Sequence, residues 1–123
     1  MRRRVFLVDD TPLMRELFGE LIELQPDLTL AGTAASGEEA LEVFRALACD
    51  LALVDVSMPG MNGIDLVARL REVRPGFPCV LFSAHTGEVY ARRAREVGAA
   101  GYVEKGDAAL LLSTIREALD VAG

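Results

Sequence analysis

Cysteine, histidine and long apolar runs are all scarce in this sequence. Its two cysteines, Cys49 and Cys79, are too few for the disulfide framework of a small secreted domain. They predict small buried apolar side chains in a reducing, cytoplasmic compartment. The single histidine, His85, cannot form a metal site by itself. No apolar run approaches the roughly 18 residues that a membrane-spanning helix needs, which argues against a transmembrane segment.

Positive charge is also in short supply. The 123 residues include 13 Lys and Arg against 19 Asp and Glu, a formal net charge of −6. This balance argues against a domain that grips nucleic acid or an anionic membrane through its overall charge. The length fits one domain, and a hydrophobic content of 51% is enough for a core without disulfides or metals. We therefore expect residues 1–123 to form one folded domain.

Short apolar runs alternate with longer amphipathic stretches along the whole chain. Each apolar run predicts a buried strand, and each amphipathic stretch has apolar residues at helical spacing. Three helices have a capping residue in front of them, namely Thr11, Ser36 and Asn62. The predicted strands lie at 5–8, 28–32, 51–54, 79–82 and 101–103. Five strand–helix units with continuously apolar strands predict a parallel, doubly wound α/β sheet covered by helices on both faces.

Polar residues stand at the carboxyl ends of four predicted strands, where ligands bind in such sheets. Asp9 and Asp10 follow the first strand, Asp55 the third, Ser83 the fourth and Lys105 the fifth. Crowded carboxylates repel one another and favour a hard cation such as Mg²⁺ or Mn²⁺. A lysine and a hydroxyl facing the same point suit a phosphoryl group. A carboxylate can also be the nucleophile, which then forms an aspartyl phosphate.

Each of these residues also has a purely structural interpretation. Asp10 alone would be a helix cap, Ser83 a cap or turn residue, and Lys105 a solvated lysine. Chance rarely places five such residues at the strand ends of one sheet. Their combination therefore favours a metal-dependent phosphoryl site.

Four short motifs follow one another along the chain: Val8-Asp9-Asp10, the run DVSMPGMNG at 55–63, Ser83-Ala84, and the run GAAGYVEK at 98–105. Together they resemble the receiver domain of two-component response regulators, and the resemblance covers nearly the whole chain. It implies a flavodoxin-like (βα)5 fold with strand order 2-1-3-4-5. The last motif resembles the branch that usually carries a C-terminal helix-turn-helix output domain. We expect a receiver domain at 1–123 and no output domain within those residues.

The resemblance also implies a metal site and a phosphoacceptor. Asp55 would accept the phosphoryl group. Asp9 and Asp10 would hold Mg²⁺, or Mn²⁺, together with Asp55 and the backbone carbonyl of Ser57.

Further roles follow from the same resemblance. Lys105 would bind the phosphoryl oxygens, Ser83 would be the switch hydroxyl and Tyr102 the switch aromatic. Ser57 and His85, two residues after Asp55 and Ser83 respectively, would flank the approach of water and tune dephosphorylation. Of these two, we expect His85 to shield the phosphoryl group.

One residue departs from the pattern of the family. Many receiver domains have a proline after the lysine, joined by a cis bond, whereas this chain has Gly106. A non-proline cis bond is unfavourable, so we expect a trans Lys105-Gly106 bond, with the glycine supplying any unusual φ.

The implied function is that of a signalling switch rather than an enzyme. The phosphoryl donor would be a sensor histidine kinase or a phosphotransfer protein, and the output would be transcription regulation. Further partners would be an output domain or a second copy. These would dock on the surface of the fourth helix, fifth strand and fifth helix, or on that of the first and fifth helices. We expect no direct contact with nucleic acid or membrane.

Three other functions deserve comparison. A haloacid-dehalogenase-like phosphatase needs a second acid two residues after its nucleophile, where this chain has Ser57. A flavodoxin-like cofactor carrier needs a Ser/Thr/Gly-rich phosphate loop after the first strand, where Asp9 and Asp10 offer negative charge instead. A phosphorylation-independent adaptor with the same fold stays open, although every expected site residue is present.

Overall fold

The sheet has five parallel strands in the predicted order. The computed structural model describes residues 2–84 and 87–122. The strands are β1 (Arg3–Val8), β2 (Leu28–Ala34), β3 (Leu51–Asp55), β4 (Cys79–Ser83) and β5 (Gly101–Glu104). Their order across the sheet is β2-β1-β3-β4-β5, which confirms the doubly wound α/β fold. All four neighbouring pairs are parallel, so the carboxyl ends of all strands share one edge.

One helix follows each strand. The helices are α1 (Pro12–Glu23), α2 (Gly37–Phe44), α3 (Gly63–Val73), α4 (Glu88–Glu96) and α5 (Ala108–Ala122). Two of the predicted caps make side-chain hydrogen bonds: Ser36 Oγ accepts from the Glu39 amide at 3.1 Å and Asn62 Oδ1 from the Asp65 amide at 2.9 Å. Thr11 occupies the N-cap of α1 without such a bond. There, Pro12 starts the helix because its fixed φ suits the first turn.

The strand residues alternate between two core layers. Val5 and Leu7 face the layer formed with α1 and α5. Phe6 and Val8 face the layer formed with α2, α3 and α4. All four side chains are fully buried, which explains why a strand covered on both faces reads as one continuous apolar run.

Strand β2 is longer than predicted. It continues to Ala34, where the sequence pattern placed its end at Gly32. The extra length comes from pairing with β1, whose Val8 is opposite Ala34 after a register shift between Val5 and Phe6. Periodicity within one segment does not predict this extra strand pairing, because the pairing depends on a partner 26 positions away in the sequence.

Both cysteines are free, but only one is buried. Cys79 is fully buried in β4, as predicted, whereas Cys49 is half-buried. Cys49 Sγ lies 3.6 Å from a guanidinium nitrogen of Arg74. Among residues 2–84 and 87–122, none of the helices has the length and apolar character required to cross a membrane.

Arg74 fastens the end of α2 to the rest of the domain. Its Nη2 donates to the backbone carbonyls of Phe44 and Leu47, both at 2.7 Å. Its guanidinium also stacks 4.0 Å from the centroid of the Phe44 ring. The planar group therefore adds side-chain hydrogen bonds to carbonyls at and just beyond the end of α2 while covering an aromatic face.

Candidate functional site

The site lies at the carboxyl edge of the sheet and is built from the ends of three adjacent strands. Asp9 follows β1, Asp55 ends β3 and Ser83 ends β4. They are the buried polar or charged residues of the described chain, with exposures of 0%, 3% and 1%. A buried carboxylate is unfavourable unless it is paired or hydrogen-bonded, so the surroundings of these side chains define the chemistry of the site.

Three carboxylates meet at this edge. One oxygen each from Asp9, Asp10 and Asp55 lies within 4.8 Å of the others. Two backbone amides hold the buried pair in place. The Thr11 amide donates to Asp9 Oδ1 at 2.9 Å, and the Ser57 amide donates to Asp55 Oδ1 at 3.3 Å. Carboxylate oxygens at this spacing fit a hard divalent cation, because such an ion offsets their mutual repulsion.

Lys105 joins this cluster from the end of β5. Its Nζ lies 2.8 Å from Asp9 Oδ2 and 3.3 Å from Asp55 Oδ1. The Lys105 backbone amide also donates to the Ser83 carbonyl at 2.8 Å. The ammonium lies 4.9 Å from the centroid of the Phe82 ring. Lys105 is thus fixed at both its backbone and its side chain, with 15% of the side chain exposed.

Burial and the neighbouring charges shift the pKa of Asp55. Burial raises the pKa of Asp55 to about 6, and the negative charge of Asp9 acts in the same direction. Lys105 and the Ser57 amide act in the opposite direction on this pKa. Above pH 6 the Asp55 carboxylate is therefore mostly ionised, yet it sits in surroundings that disfavour its charge.

Residues 5–116 match the family model described as the response regulator receiver domain. The chain belongs to this family. The sequence resemblance is confirmed, and the chain is a receiver domain of two-component signalling.

Relatives and solved structures agree with this assignment. The nitrate/nitrite response regulator protein NarL of Escherichia coli (strain K12) is 39% identical over 101 residues, which cover 82% of this receiver domain and 47% of NarL. A protein-glutamate methylesterase/protein-glutamine glutaminase of Halalkalibacterium halodurans is 37% identical over 122 residues, which cover 96% of this chain and 35% of that protein. The receiver domain therefore spans about half, or less, of the length of these relatives.

Two crystal structures share the fold. A LuxR-family two-component response regulator from Aurantimonas sp. SI85-9A1 superposes with a TM-score of 0.93 at 34% identity, covering 98% of this chain and 86% of that one. The response regulator domain of Thermotoga maritima CheB gives a TM-score of 0.89 at 29% identity, covering 98% of both chains. The NarL and LuxR-family similarities fit the predicted branch with helix-turn-helix output domains.

The predicted site residues of the receiver domain fall into two groups. Asp9, Asp10, Asp55, Ser83 and Lys105 come together as expected at one sheet edge. Outside this cluster, the Ser57 side chain is exposed, and Tyr102 is half-buried and packs against the core layer of α2, α3 and α4. His85 lies outside the described residues.

The Lys105-Gly106 bond agrees with expectation in one respect and not in another. No cis peptide bond occurs in the described residues, so the bond is trans as predicted. Gly106, however, is not among the positive-φ glycines of the described chain, which are Gly60, Gly76 and Gly98. The backbone at Gly106 thus adopts a conformation that residues other than glycine can also adopt.

Gly63 has a role that sequence reasoning did not assign. Its amide donates to the Val56 carbonyl at 2.9 Å, which closes the loop after Asp55. A Cβ atom at this position would lie 2.0 Å from the Asp55 carbonyl oxygen. No side chain fits there, so Gly63 allows α3 to begin directly against the end of β3. Its place in the DVSMPGMNG run was the signal that could have revealed it.

Arg15 is a second residue that the sequence analysis missed. It lies in α1, and its Nη1 donates to the backbone carbonyl of Asp9 at 2.7 Å. This bond ties the first turn of α1 to the end of β1, where the acidic cluster begins. Its only sequence signal was a position on α1 shortly after the Asp9-Asp10 pair.

Proposed function

We propose that this receiver domain accepts a phosphoryl group on Asp55. The observation that carries the proposal is one buried carboxylate at the end of the central strand, 3.3 Å from the Lys105 ammonium. The oxygens of Asp9 and Asp10 lie beside it. A donor phosphoryl group placed here meets the nucleophilic oxygen of Asp55 and the Lys105 ammonium, which can bind the phosphoryl oxygens.

The transfer itself needs little from the protein beyond placement and charge. With a phosphohistidine donor, the P–N bond breaks and its electron pair stays on the imidazole nitrogen, while Asp55 forms the new P–O bond. Burial disfavours the charge on Asp55, and transfer converts its carboxylate into an acyl phosphate, whose acyl group carries no charge of its own. Lys105 then has phosphoryl oxygens to bind in place of the carboxylate.

The acidic cluster supports a role for Mg²⁺, with Mn²⁺ as a chemically similar alternative. Asp9, Asp10 and Asp55, together with the Ser57 backbone carbonyl, would hold the ion. Its contribution when bound is to offset negative charge during in-line phosphoryl transfer. The chain's own contribution is to keep these oxygens close together in spite of their repulsion.

The switch would pass through Ser83 and Tyr102. A phosphoryl group brings new acceptor oxygens to the sheet edge, and the Ser83 hydroxyl donates to one of them. The Ser83 carbonyl already accepts from the Lys105 amide, which links the end of β4 to the end of β5, the strand that contains Tyr102. Tyr102 then turns inward, and the surface of α4, β5 and α5 shifts to a second packing that partners distinguish.

The wider setting is proposed from the relatives. NarL is a response regulator about twice as long as the matched region, and the structural similarity extends to a LuxR-family regulator. We expect residues 1–123 to act as the receiver of a cytoplasmic transcription regulator. Its donor is a sensor histidine kinase or a phosphotransfer protein. Its output domain or second copy docks on α4, β5 and α5, or on α1 and α5.

The proposal is tested by intact mass after incubation with acetyl phosphate and Mg²⁺. The wild-type chain should gain one phosphoryl group, and Asp55→Ala should gain none. Asp65→Ala, which removes an exposed carboxylate from the start of α3, is the matched control and should be labelled like wild type. Equal labelling of Asp55→Ala would overturn the proposal. Unchanged labelling in the presence of EDTA would contradict the proposed role of the metal ion.

Two further variants test the switch and the lifetime of the phosphorylated state. Ser83→Ala should weaken partner binding by the phosphorylated form, and unchanged binding would exclude the hydroxyl as the relay. His85→Ala should speed Mg²⁺-dependent dephosphorylation if the imidazole shields the phosphoryl group. A slower decay would mean that it assists hydrolysis.

A further inference from the structure

A groove opens beside the proposed phosphoacceptor, between the loop after β3 and the part of α4 that carries Tyr90 and Arg93. Its volume is about 480 Å³, within the range of small-molecule sites. The loop side includes Ser57, Pro59 and Asn62, and the α4 side includes Tyr90 and Arg93. Ser57 is also the residue whose amide bonds Asp55 Oδ1, so the groove borders the site itself.

Arg93 is the only cationic residue among those that line this groove in the described chain. It is exposed and makes no ion pair within residues 2–84 and 87–122, whereas Arg95 on the same helix pairs with Glu88 at 3.3 Å. An exposed guanidinium without a carboxylate partner in the described chain is a recognition element for a carboxylate. The groove therefore offers a place for an anion.

The charge of the phosphoacceptor site makes such a place useful. Three carboxylates face a single lysine ammonium there, and the whole chain carries −6. A small phosphodonor is itself an anion, so this field repels it. The Arg93 cation in the adjoining groove offsets part of that repulsion for a donor that also carries partial negative charge at the end remote from the phosphorus.

We infer that this groove binds the acyl end of a small acyl phosphate, with Arg93 holding the carboxylate that leaves. The inference rests on phosphorylation of Asp55 as proposed above. In the transfer, an Asp55 oxygen forms a bond to phosphorus and the bond between phosphorus and the acyl oxygen breaks. The electron pair of that bond goes to the acyl oxygen, and a free carboxylate departs without any proton transfer. Arg93 is thus a binding residue for the donor, whereas Asp55 and Lys105 handle the phosphoryl group.

Two donors separate this role from a general effect of charge. Acetyl phosphate releases a carboxylate, whereas phosphoramidate transfers the same phosphoryl group and releases ammonia. The experiment measures the second-order rate of phosphorylation by intact mass, with Mg²⁺, for wild type, Arg93→Ala and Arg92→Ala. Arg92 is exposed on the same helix and does not line the groove, so its variant removes the same charge elsewhere.

We expect Arg93→Ala to react about three- to fivefold more slowly than Arg92→Ala with acetyl phosphate, the size of one exposed charged contact. The two variants should react equally with phosphoramidate, and Arg93→Lys should recover part of the acetyl phosphate rate. An equal loss in both arginine variants, or a parallel loss with both donors, would overturn the inference while leaving Asp55 as the acceptor. If neither donor labels the wild-type chain, the proposed function and this inference are overturned together.

Discussion

Replacing Asp55 with asparagine should make the folded chain more stable at neutral pH. Burial, with the help of Asp9, raises the pKa of Asp55 from 3.8 to about 6. The folded state thus binds a proton that the unfolded state has already lost between these two values. The corresponding stabilisation is complete below about pH 3.8 and is lost as the pH rises through about 6, where the folded carboxylate ionises.

The size of the effect follows from the same shift. About two pH units correspond to about 3 kcal/mol lost at pH 7.5 relative to the protonated side chain. Asparagine stays neutral at every pH, and Lys105 keeps its contact with Asp9 at 2.8 Å, so no buried ammonium is left unpaired. We expect Asp55→Asn to raise the free energy of unfolding by about 2–3 kcal/mol at pH 7.5, and by about half as much at pH 5.

Urea unfolding followed by far-UV circular dichroism measures this difference. Wild type and Asp55→Asn should be compared at both pH values in EDTA, so that no divalent cation offsets the carboxylates. Asp120→Asn removes one charge from an exposed position of α5 and should change stability by less than about 0.5 kcal/mol. If Asp55→Asn is no more stable than wild type, or if the difference does not grow with pH, the argument that burial and Asp9 disfavour the charge of Asp55 is refuted.

Three variants and one thiol reagent test packing around the acidic cluster and in the rest of the domain. Gly63→Ala should lower the free energy of unfolding by about 3 kcal/mol or more, because its Cβ would lie 2.0 Å from a carbonyl oxygen. Gly106→Ala, with open space around its Cβ, should be neutral, and similar values for both glycines would contradict this account. Arg74→Ala should lower the free energy of unfolding by about 2–4 kcal/mol, and a loss below about 1 kcal/mol in urea unfolding would contradict the role of its contacts. A thiol reagent at pH 8 should label half-buried Cys49 before Cys79, since burial raises the pKa of the Cys79 thiol to about 12; equal rates would show that β4 opens readily.

The fold and the acidic cluster were predictable because their signals are local or repeat at every strand. Asp55 and Ser83 each end a buried apolar run, and parallel strands bring such ends to one edge. The caps at Ser36 and Asn62 were predictable for the same reason, since a capping side chain bonds an amide three residues away.

Contacts between distant segments were not predictable in this way. Arg74 reads as one more surface arginine until the fold places it against Phe44, 30 positions earlier. Gly63 reads as a turn glycine, although its real constraint is the approach of a helix to a carbonyl oxygen of β3. Arg15 reads as a polar position of an amphipathic helix, although it bonds the backbone of Asp9. Periodicity describes one segment at a time, whereas these roles depend on which two segments meet.

The double attachment of Lys105 has a consequence for how such a domain can diverge. Its amide is bonded to the end of β4 and its ammonium to Asp9 and Asp55. Both ends of the segment from Ser83 to Lys105 are therefore held in place. Ala94 is the one buried residue of α4, which leaves most of that helix free of packing constraints. Its outward sequence can therefore be exchanged, by evolution or by a protein engineer, without displacing Lys105 from Asp9 and Asp55.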